Sequence, residues 1–265
     1  MSTFKTTMAT KMPVTTKTSY DSLKGTFRKV SLTAVLVIGI IIFSCLAIVT
    51  AIVVMAHTSD IKASAAEYDY LRAIAGEVEI EYDEQGEAQL SALDKEMRAI
   101  NPDYVYWIHI EGTNIDYPVV RGDDNIKYLD TTFNGEKYKA GALFMDYRNV
   151  GESMPNIIIY GHLLSSGGMF TELHKFLDDE FLENNSIITL IINGKNVEFE
   201  IFSARRTDIR DPAYFLNFNA SHSFPRFANR IDAPLRATQI ITLSTCVSGN
   251  NDDERLVVQG YRLTD

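Results

Sequence analysis

The chain has 265 residues, with 25 basic and 35 acidic side chains and a formal net charge of −10. The charge is divided unevenly, because residues 1–29 hold six basic side chains and one acidic one, and the remainder holds 19 basic and 34 acidic ones. Nucleic-acid binding depends on positive charge that meets backbone phosphates. The acidic remainder therefore argues against a nucleic-acid partner.

Residues 1–29 lack apolar periodicity and predict a disordered tail. Residues 30–56 contain no charged side chain and are long enough to cross a bilayer core, which needs about 20 apolar residues. Basic residues before such a segment favour a cytoplasmic N-terminus. We therefore expect a transmembrane anchor at 30–56 and an extracellular remainder.

A cleaved signal peptide is the alternative for this segment. Ala63-Ser64-Ala65 has the small residues of a cleavage site. The apolar region of a signal peptide is about 7–15 residues long, and this run is much longer. Both interpretations export the folded part of the chain.

Residues 57–100 are predicted to form a helical linker and N-terminal helices. Tyr68 and Leu71 belong to a first helical pattern, and Leu93 and Met97 belong to a second one. The acidic segment 77–86 separates the two patterns, and Asn101-Pro102 ends the second.

Residues 101–265 are predicted to form one mainly β domain, a barrel or a sandwich of about eight strands. Asp123 is expected to cap one or two helical turns at 124–129, and a helix is expected at 221–231 inside an insertion at 207–236. The predicted strands are 104–110, 115–121, 142–145, 156–160, 187–192, 196–203, 238–245 and 256–263.

Three polar side chains stand at the ends of predicted strands. Cys246 ends an apolar run and is the only cysteine outside the anchor, His162 follows the most apolar strand, and Arg255 opens the last strand. A thiol needs a base or a cation to become a thiolate nucleophile. A surface histidine, an inert cysteine and a solvated arginine remain the alternative. Cysteine and histidine spacings match no zinc site, and we expect no cofactor.

The sequence resembles the sortases, the cell-surface cysteine transpeptidases of Gram-positive bacteria, over about residues 65–265. The similarity to class B is carried by the runs Thr242-Leu243-Ser244-Thr245-Cys246 before Arg255, Tyr160-Gly161-His162, Trp107-Ile108, Gly112 to Val120, Asp124-Asn125 with Tyr128-Leu129, Gly141 to Asn149 and Gly168-Met169-Phe170.

The resemblance implies an eight-stranded sortase β-barrel with N-terminal helices and a helical insertion before the last two strands. It implies that Cys246 is the nucleophile, His162 the general acid/base and Arg255 the stabiliser of the oxyanion. The peptide groove would include the residues Asn125, Leu129, Tyr160, Ser244 and Thr245.

The implied reaction begins as that of a cysteine endopeptidase. Cys246 cleaves a C-terminal sorting signal of a surface protein, resembling Asn-Pro-x-Thr-Asn, and forms a thioacyl enzyme. An amine of a peptidoglycan precursor, or another amine such as a pilin lysine, then resolves the intermediate. Val247 and Leu163 depart from the class B pattern. The alternatives are therefore a degenerate barrel that only binds peptides or proteins and, less well supported, a hydrolytic cysteine peptidase.

Overall fold

The computed structural model describes residues 31–77, 92–151, 154–218, 223–246 and 253–263, without the side chains of Ser223 and Cys246. The chain divides into two compact units at Met55 and Ala56. The predicted tail at 1–29, most of the acidic segment at 77–86, and Val247 lie outside the described residues.

The first helix, α1, spans Leu32–Glu77. Its apolar residues up to Met55 expose their side chains, as expected of a surface that faces lipid. The helix reaches a mean hydropathy of 3.0 in its most apolar window, so that its length and composition are compatible with one membrane crossing. Near its C-terminal end, Tyr68 and Leu71 are buried in the core, which confirms the predicted helical pattern.

The domain that follows is a closed eight-stranded barrel, as predicted. The strands are β1 (Tyr104–Ile110), β2 (Asp116–Val120), β3 (Leu143–Met145), β4 (Asn156–Tyr160), β5 (Ile187–Ile192), β6 (Lys195–Asp208), β7 (Ile240–Cys246) and β8 (Glu254–Arg262). Their order around the barrel is β1-β2-β3-β4-β7-β8-β6-β5. The β2/β3 and β4/β7 pairs are parallel, and the pairs β1/β2, β1/β5, β3/β4, β5/β6, β6/β8 and β7/β8 are antiparallel.

Strand patterning explains why the barrel forms from these segments. β5 alternates between half-buried and buried residues, the period expected of a strand with one face on the core. In β4 every residue except the last is buried, and this continuous apolar run suits a strand flanked by β3 and β7. The buried face of the barrel carries large aromatic side chains, including Trp107, Tyr104 and Phe199.

Short helices occur before the first strand and in the connections between strands. They are α2 (Ala92–Ile100), α3 (Asp179–Asn184), α4 (Ser223–Arg230) and the 3₁₀ helices Lys127–Leu129, Thr171–Leu177 and Pro212–Tyr214. The predicted insertion helix is confirmed as α4, which lies between β6 and β7. Its Phe227 packs on Ile240 and Tyr261 in a second apolar cluster.

Two local predictions need correction. Strand β6 continues to Asp208, beyond the predicted end at residue 203, because its second half pairs with β8. The turn at 124–129 is capped by Asp124 and not by Asp123, since Oδ1 of Asp124 accepts hydrogen bonds from the amides of Ile126 and Lys127. The α3 helix was not predicted.

Candidate active site

The parallel pair β4/β7 brings His162 and Cys246 to the same edge of the barrel. Tyr160 and Ser244 are register partners, and each stands two residues before one of the predicted catalytic residues. The amide of Gly161 donates to the carbonyl of Ser244 at 3.1 Å, which continues the pairing towards His162. Two parallel strands therefore end together at this edge.

The third predicted residue reaches this edge through the antiparallel pair β7/β8. Arg255 is the register partner of Cys246 in this ladder, and on its other side it is the partner of Thr207 in β6. Nη1 of Arg255 donates to the carbonyl of Glu254 at 2.9 Å. The backbone thus brings residues 162, 246 and 255 to one side of the barrel, and the side chain of Cys246 lies outside the described part of the structure.

A cleft of about 540 Å³ opens at this position. It brings together seven of the predicted site residues, namely Asn125, Leu129, Tyr160, His162, Ser244, Thr245 and Arg255. Its remaining lining residues are Phe144, Arg148, Gly161, Ile209 and Tyr214. A concave site with mainly apolar walls and a few converging polar groups is typical of a ligand-binding pocket.

His162 is oriented by the backbone across the cleft. Its Nε2 lies 2.5 Å from the carbonyl oxygen of Leu129. A carbonyl oxygen only accepts hydrogen bonds, so Nε2 carries the proton while this contact exists. Gly161 makes this placement possible, because a Cβ atom there would lie 2.7 Å from Cδ2 of Phe170 and closer still to Leu143.

Asp146 is a buried carboxylate beneath the cleft. It follows β3 directly, has no solvent exposure and accepts a hydrogen bond from Nδ2 of Asn125 at 3.1 Å and from the hydroxyl of Tyr160 at 2.9 Å. Arg148 contributes its Nε at 2.8 Å, its Nη2 at 2.7 Å and its amide at 3.0 Å. Two of the predicted groove residues are therefore held by one carboxylate.

The pKa of Asp146 follows from these contacts. Burial opposes the charged form, but the hydrogen bonds from Arg148 and Tyr160 outweigh burial and hold the pKa below its ordinary value. For Tyr160, burial and the negative charge of Asp146 both raise the pKa, so that the phenol stays protonated and donates. The lowered pKa of Asp146 favours its anionic form, which accepts hydrogen bonds from the cation Arg148 and from the neutral side chains of Asn125 and Tyr160.

Tyr214 joins the cleft from the segment before α4. Its ring stacks on that of Tyr160 with a centroid distance of 6.5 Å, and its hydroxyl lies 2.8 Å from Oγ of Ser244. Asp211 caps the 3₁₀ helix that carries Tyr214 by accepting from the amide of Ala213 at 2.7 Å.

A buried polar network anchors this segment to the barrel. Asn156 in β4 donates to the carbonyls of Ala213 at 2.8 Å and Phe215 at 3.1 Å. Its Oδ1 accepts from Thr242 in β7 at 2.9 Å, and Thr242 accepts in turn from Gln259 in β8 at 3.1 Å. The cleft wall formed by Tyr214 is therefore tied to three strands.

Sequence reasoning did not assign a role to Asp146, Arg148, Tyr214, Phe144 or Ile209. The roles of these residues depend on contacts that only the fold creates. One signal was available, since an acidic residue stands directly after an apolar strand at Leu143-Phe144-Met145-Asp146. Among the described residues, no group of three or more His, Cys, Asp or Glu side chains is arranged to hold a metal ion.

Known proteins are similar to this chain in both sequence and fold. The Sortase domain family model matches residues 108–263. Sortase B of Listeria monocytogenes is 33% identical over 181 residues, which cover 64% of this chain and 74% of that protein.

Two solved structures show the same barrel. Sortase B from Bacillus anthracis in complex with AAEK1 is 29% identical with a TM-score of 0.66, and the match covers 78% of this chain and 99% of that chain. The Staphylococcus aureus sortase B–substrate complex is 26% identical with a TM-score of 0.65 and the same coverage.

The barrel, the cleft and these similarities define a cysteine transpeptidase of the sortase type. The chain belongs to the sortase family, and within that family to class B.

Proposed function

We propose that this class B sortase uses Cys246 to cleave a C-terminal sorting signal and to join the released carboxyl end to a cell-wall amine. The observation that carries the proposal is the single cleft that contains His162, Arg255 and the two residues before Cys246. The surface-protein substrate would lie in this cleft, as a peptide bound near its C-terminus.

Arg255 has two roles in this mechanism. A thiol with an ordinary pKa of about 8.5 is mostly protonated at neutral pH, and a permanent cation beside it favours the thiolate. Arg255 is such a cation, because a guanidinium does not lose its proton in proteins. Its N–H groups would also stabilise the oxyanion that develops when the sulfur attacks the peptide carbonyl.

His162 performs the proton transfers. It gives a proton to the leaving amine when the thioacyl enzyme forms, and it accepts a proton from the incoming amine in the second step. The contact of Nε2 with the carbonyl of Leu129 keeps the ring at the cleft. The peptide bond breaks, the thioester forms, and the acceptor amine then replaces the sulfur.

The groove residues would bind the signal. Leu129 and Ile209 are exposed apolar side chains on the cleft, which suits an aliphatic residue of the peptide. Asn125 and Tyr160 are held rigid by Asp146, so that binding costs them little entropy. By the resemblance to class B, the expected signal is similar to Asn-Pro-x-Thr-Asn.

The N-terminal segment supports a surface location. The apolar part of α1 would anchor the enzyme in the membrane, with the basic residues before it in the cytoplasm and the barrel outside. Both substrates of this reaction arrive at the membrane surface. A peptidoglycan precursor is the proposed acceptor, and a pilin lysine is the alternative acceptor.

A binding module without catalysis is the second candidate, and Leu163 is the observation that favours it. This residue departs from the class B pattern, and its backbone forms an isolated bridge with Met169 next to His162. A catalytically degenerate barrel would retain the peptide groove and lose the transfer chemistry.

The test is product analysis with the full-length chain in detergent micelles. A panel of sorting peptides is incubated with and without triglycine, and the products are identified by mass. We expect a ligated product that depends on both the amine and Cys246. Cleavage without ligation at any amine concentration would identify a hydrolase, and binding without cleavage would identify the non-catalytic module.

A further inference from the structure

Arg148 lies in the cleft but has no part in the chemistry described above. Its side chain is 47% exposed, and it lines the cleft together with Leu129, Tyr160 and Tyr214. The partner that holds it is Asp146, which is fully buried. An arginine between a buried anion and an open cleft is positioned to contact whatever enters.

The guanidinium uses only one of its edges for Asp146. Nε and Nη2 donate to the two carboxylate oxygens at 2.8 and 2.7 Å, the paired geometry that a planar guanidinium makes with a carboxylate. Nη1 has no acceptor among the described residues of the chain. A guanidinium has five N–H donors, so that the paired edge leaves others unused.

The ion pair with Asp146 also determines which kind of ligand the remaining N–H groups of Arg148 can bind. The carboxylate compensates the positive charge of Arg148, and the hydrogen bond to Asp146 raises the pKa of the guanidinium further. A second carboxylate would be repelled by Asp146, whereas a neutral oxygen would not be. The Asp146–Arg148 pair is therefore a fixed hydrogen-bond donor for a neutral acceptor.

The neighbouring residues limit the choice further. Phe144 and Ile209 give this part of the cleft apolar walls, so that a bound peptide would shield Arg148 from water, and a shielded donor that meets no acceptor weakens binding. A peptide side chain without an oxygen would leave the donor unpaired when it covers Arg148. A site of this kind discriminates against apolar analogues of the same shape.

We infer that Arg148 is a specificity-determining residue that donates a hydrogen bond to a side-chain carboxamide oxygen of the sorting peptide, and that Asp146 positions it. This inference rests on the proposed function, because it assumes that the cleft binds a peptide.

The experiment compares near-isosteric peptide pairs on the full-length chain. At each position of the signal, Gln is exchanged for Met or Asn for Leu, and kcat/KM for cleavage is measured with wild type and Arg148→Met. We expect one position where wild type prefers the amide at least 10-fold and where Arg148→Met reduces this preference to about 2-fold. The ratio of the two rates is the readout, because the loss of the contact between Arg148 and Asp146 lowers both rates together.

Two further variants separate recognition from structural support. Arg148→Lys retains a positive charge beside Asp146, but a lysine ammonium lacks the planar donor edge, so the amide preference should fall even where the melting temperature is retained. Arg236→Met removes an exposed arginine from its pair with Glu200 outside the cleft and should leave the preference unchanged.

The outcomes distinguish the inference from the proposed function. Cleavage by wild type with no amide preference at any position, or an equal preference in wild type and Arg148→Met, overturns the role of Arg148 alone. A wild-type chain that cleaves none of the peptides overturns the proposed function together with the inference.

Discussion

Cys246 and Arg255 are register partners across the antiparallel ladder of β7 and β8. The ladder fixes the distance between their backbones, although eight residues of chain lie between them. The sequence placed Cys246 at the end of one predicted strand and Arg255 at the start of the next, without showing that these strands pair. Partnership in a ladder would keep the proposed nucleophile and the proposed oxyanion donor together without a rigid connecting loop.

This relationship predicts the effect of replacing the arginine. Arg255→Ala removes the proposed oxyanion donor and should lower kcat by about 10²–10³-fold, as the loss of one such donor does in other enzymes. Steady-state cleavage of a sorting peptide measures the effect. Arg262→Ala is the matched control, because Arg262 lies on the same strand outside the cleft. Equal activity of the two variants would contradict the assigned role.

We expect the substitution Gly161→Ala to lower both stability and activity. In Gly161→Ala the new methyl group meets Leu143 and Phe170, and overpacking of this kind costs about 1–3 kcal/mol. His162 follows directly, so that kcat should fall as well. Gly135→Ala is an unsuitable control because of its positive φ, whereas Gly76→Ala meets no atom within 4 Å and should leave activity unchanged. Urea denaturation and peptide cleavage together test the prediction, which a fully stable Gly161→Ala would refute.

Asp146 predicts a pH-dependent contribution to stability. Its folded pKa lies below the unfolded value of about 3.9, so its stabilisation is fully present above that value and is lost as the pH falls through the folded pKa. Asp146→Asn should therefore lower the unfolding free energy at pH 7 by about 1–3 kcal/mol, with a smaller difference near pH 3. Urea titrations at both pH values measure it. A deficit that does not change with pH would show that the charge of Asp146 is not what stabilises the fold.

We expect the substitution Asn156→Ala to affect mainly the wall of the cleft around Tyr214. Asn156→Ala leaves the carbonyls of Ala213 and Phe215 and the hydroxyl of Thr242 without their buried partner, at a cost of about 1–3 kcal/mol. Because these carbonyls flank Tyr214, we expect the KM for the peptide to rise more than kcat falls. Hydrogen exchange of residues 211–218 should also accelerate. Unchanged exchange in that segment would mean that other contacts anchor it.

The sequence predicted the parts of the fold that depend on local patterning. Continuous apolar runs identified β4 and β7, and helical spacing identified the buried face around Tyr68 and Leu71. The site prediction rested on strand ends, and the parallel pairing of β4 with β7 explains why His162 and residue 246 share one edge. The family resemblance supplied the groove residues that the cleft contains.

The rest depends on contacts between distant segments. The position of Asp146 directly after an apolar strand hints at burial, but nothing in the chain indicates that its carboxylate would hold Asn125 and Tyr160. The second half of β6 has little apolar patterning and is a strand because β8 provides its hydrogen bonds. Tyr214 reaches the cleft on a segment that is held by contacts with distant residues, among them Asn156 and Tyr160. Such roles arise from the tertiary fold and have no local signature.

The most direct test of the proposed mechanism is the intact mass of the enzyme during turnover. The full-length chain is mixed with a sorting peptide, quenched in acid within seconds, and the modified residue is mapped by peptide digestion. We predict an acyl adduct on Cys246 that is absent in Cys246→Ala and disappears when triglycine is added. A peptide that is cleaved at full rate by Cys246→Ala, or an adduct carried by a different residue, would contradict the account.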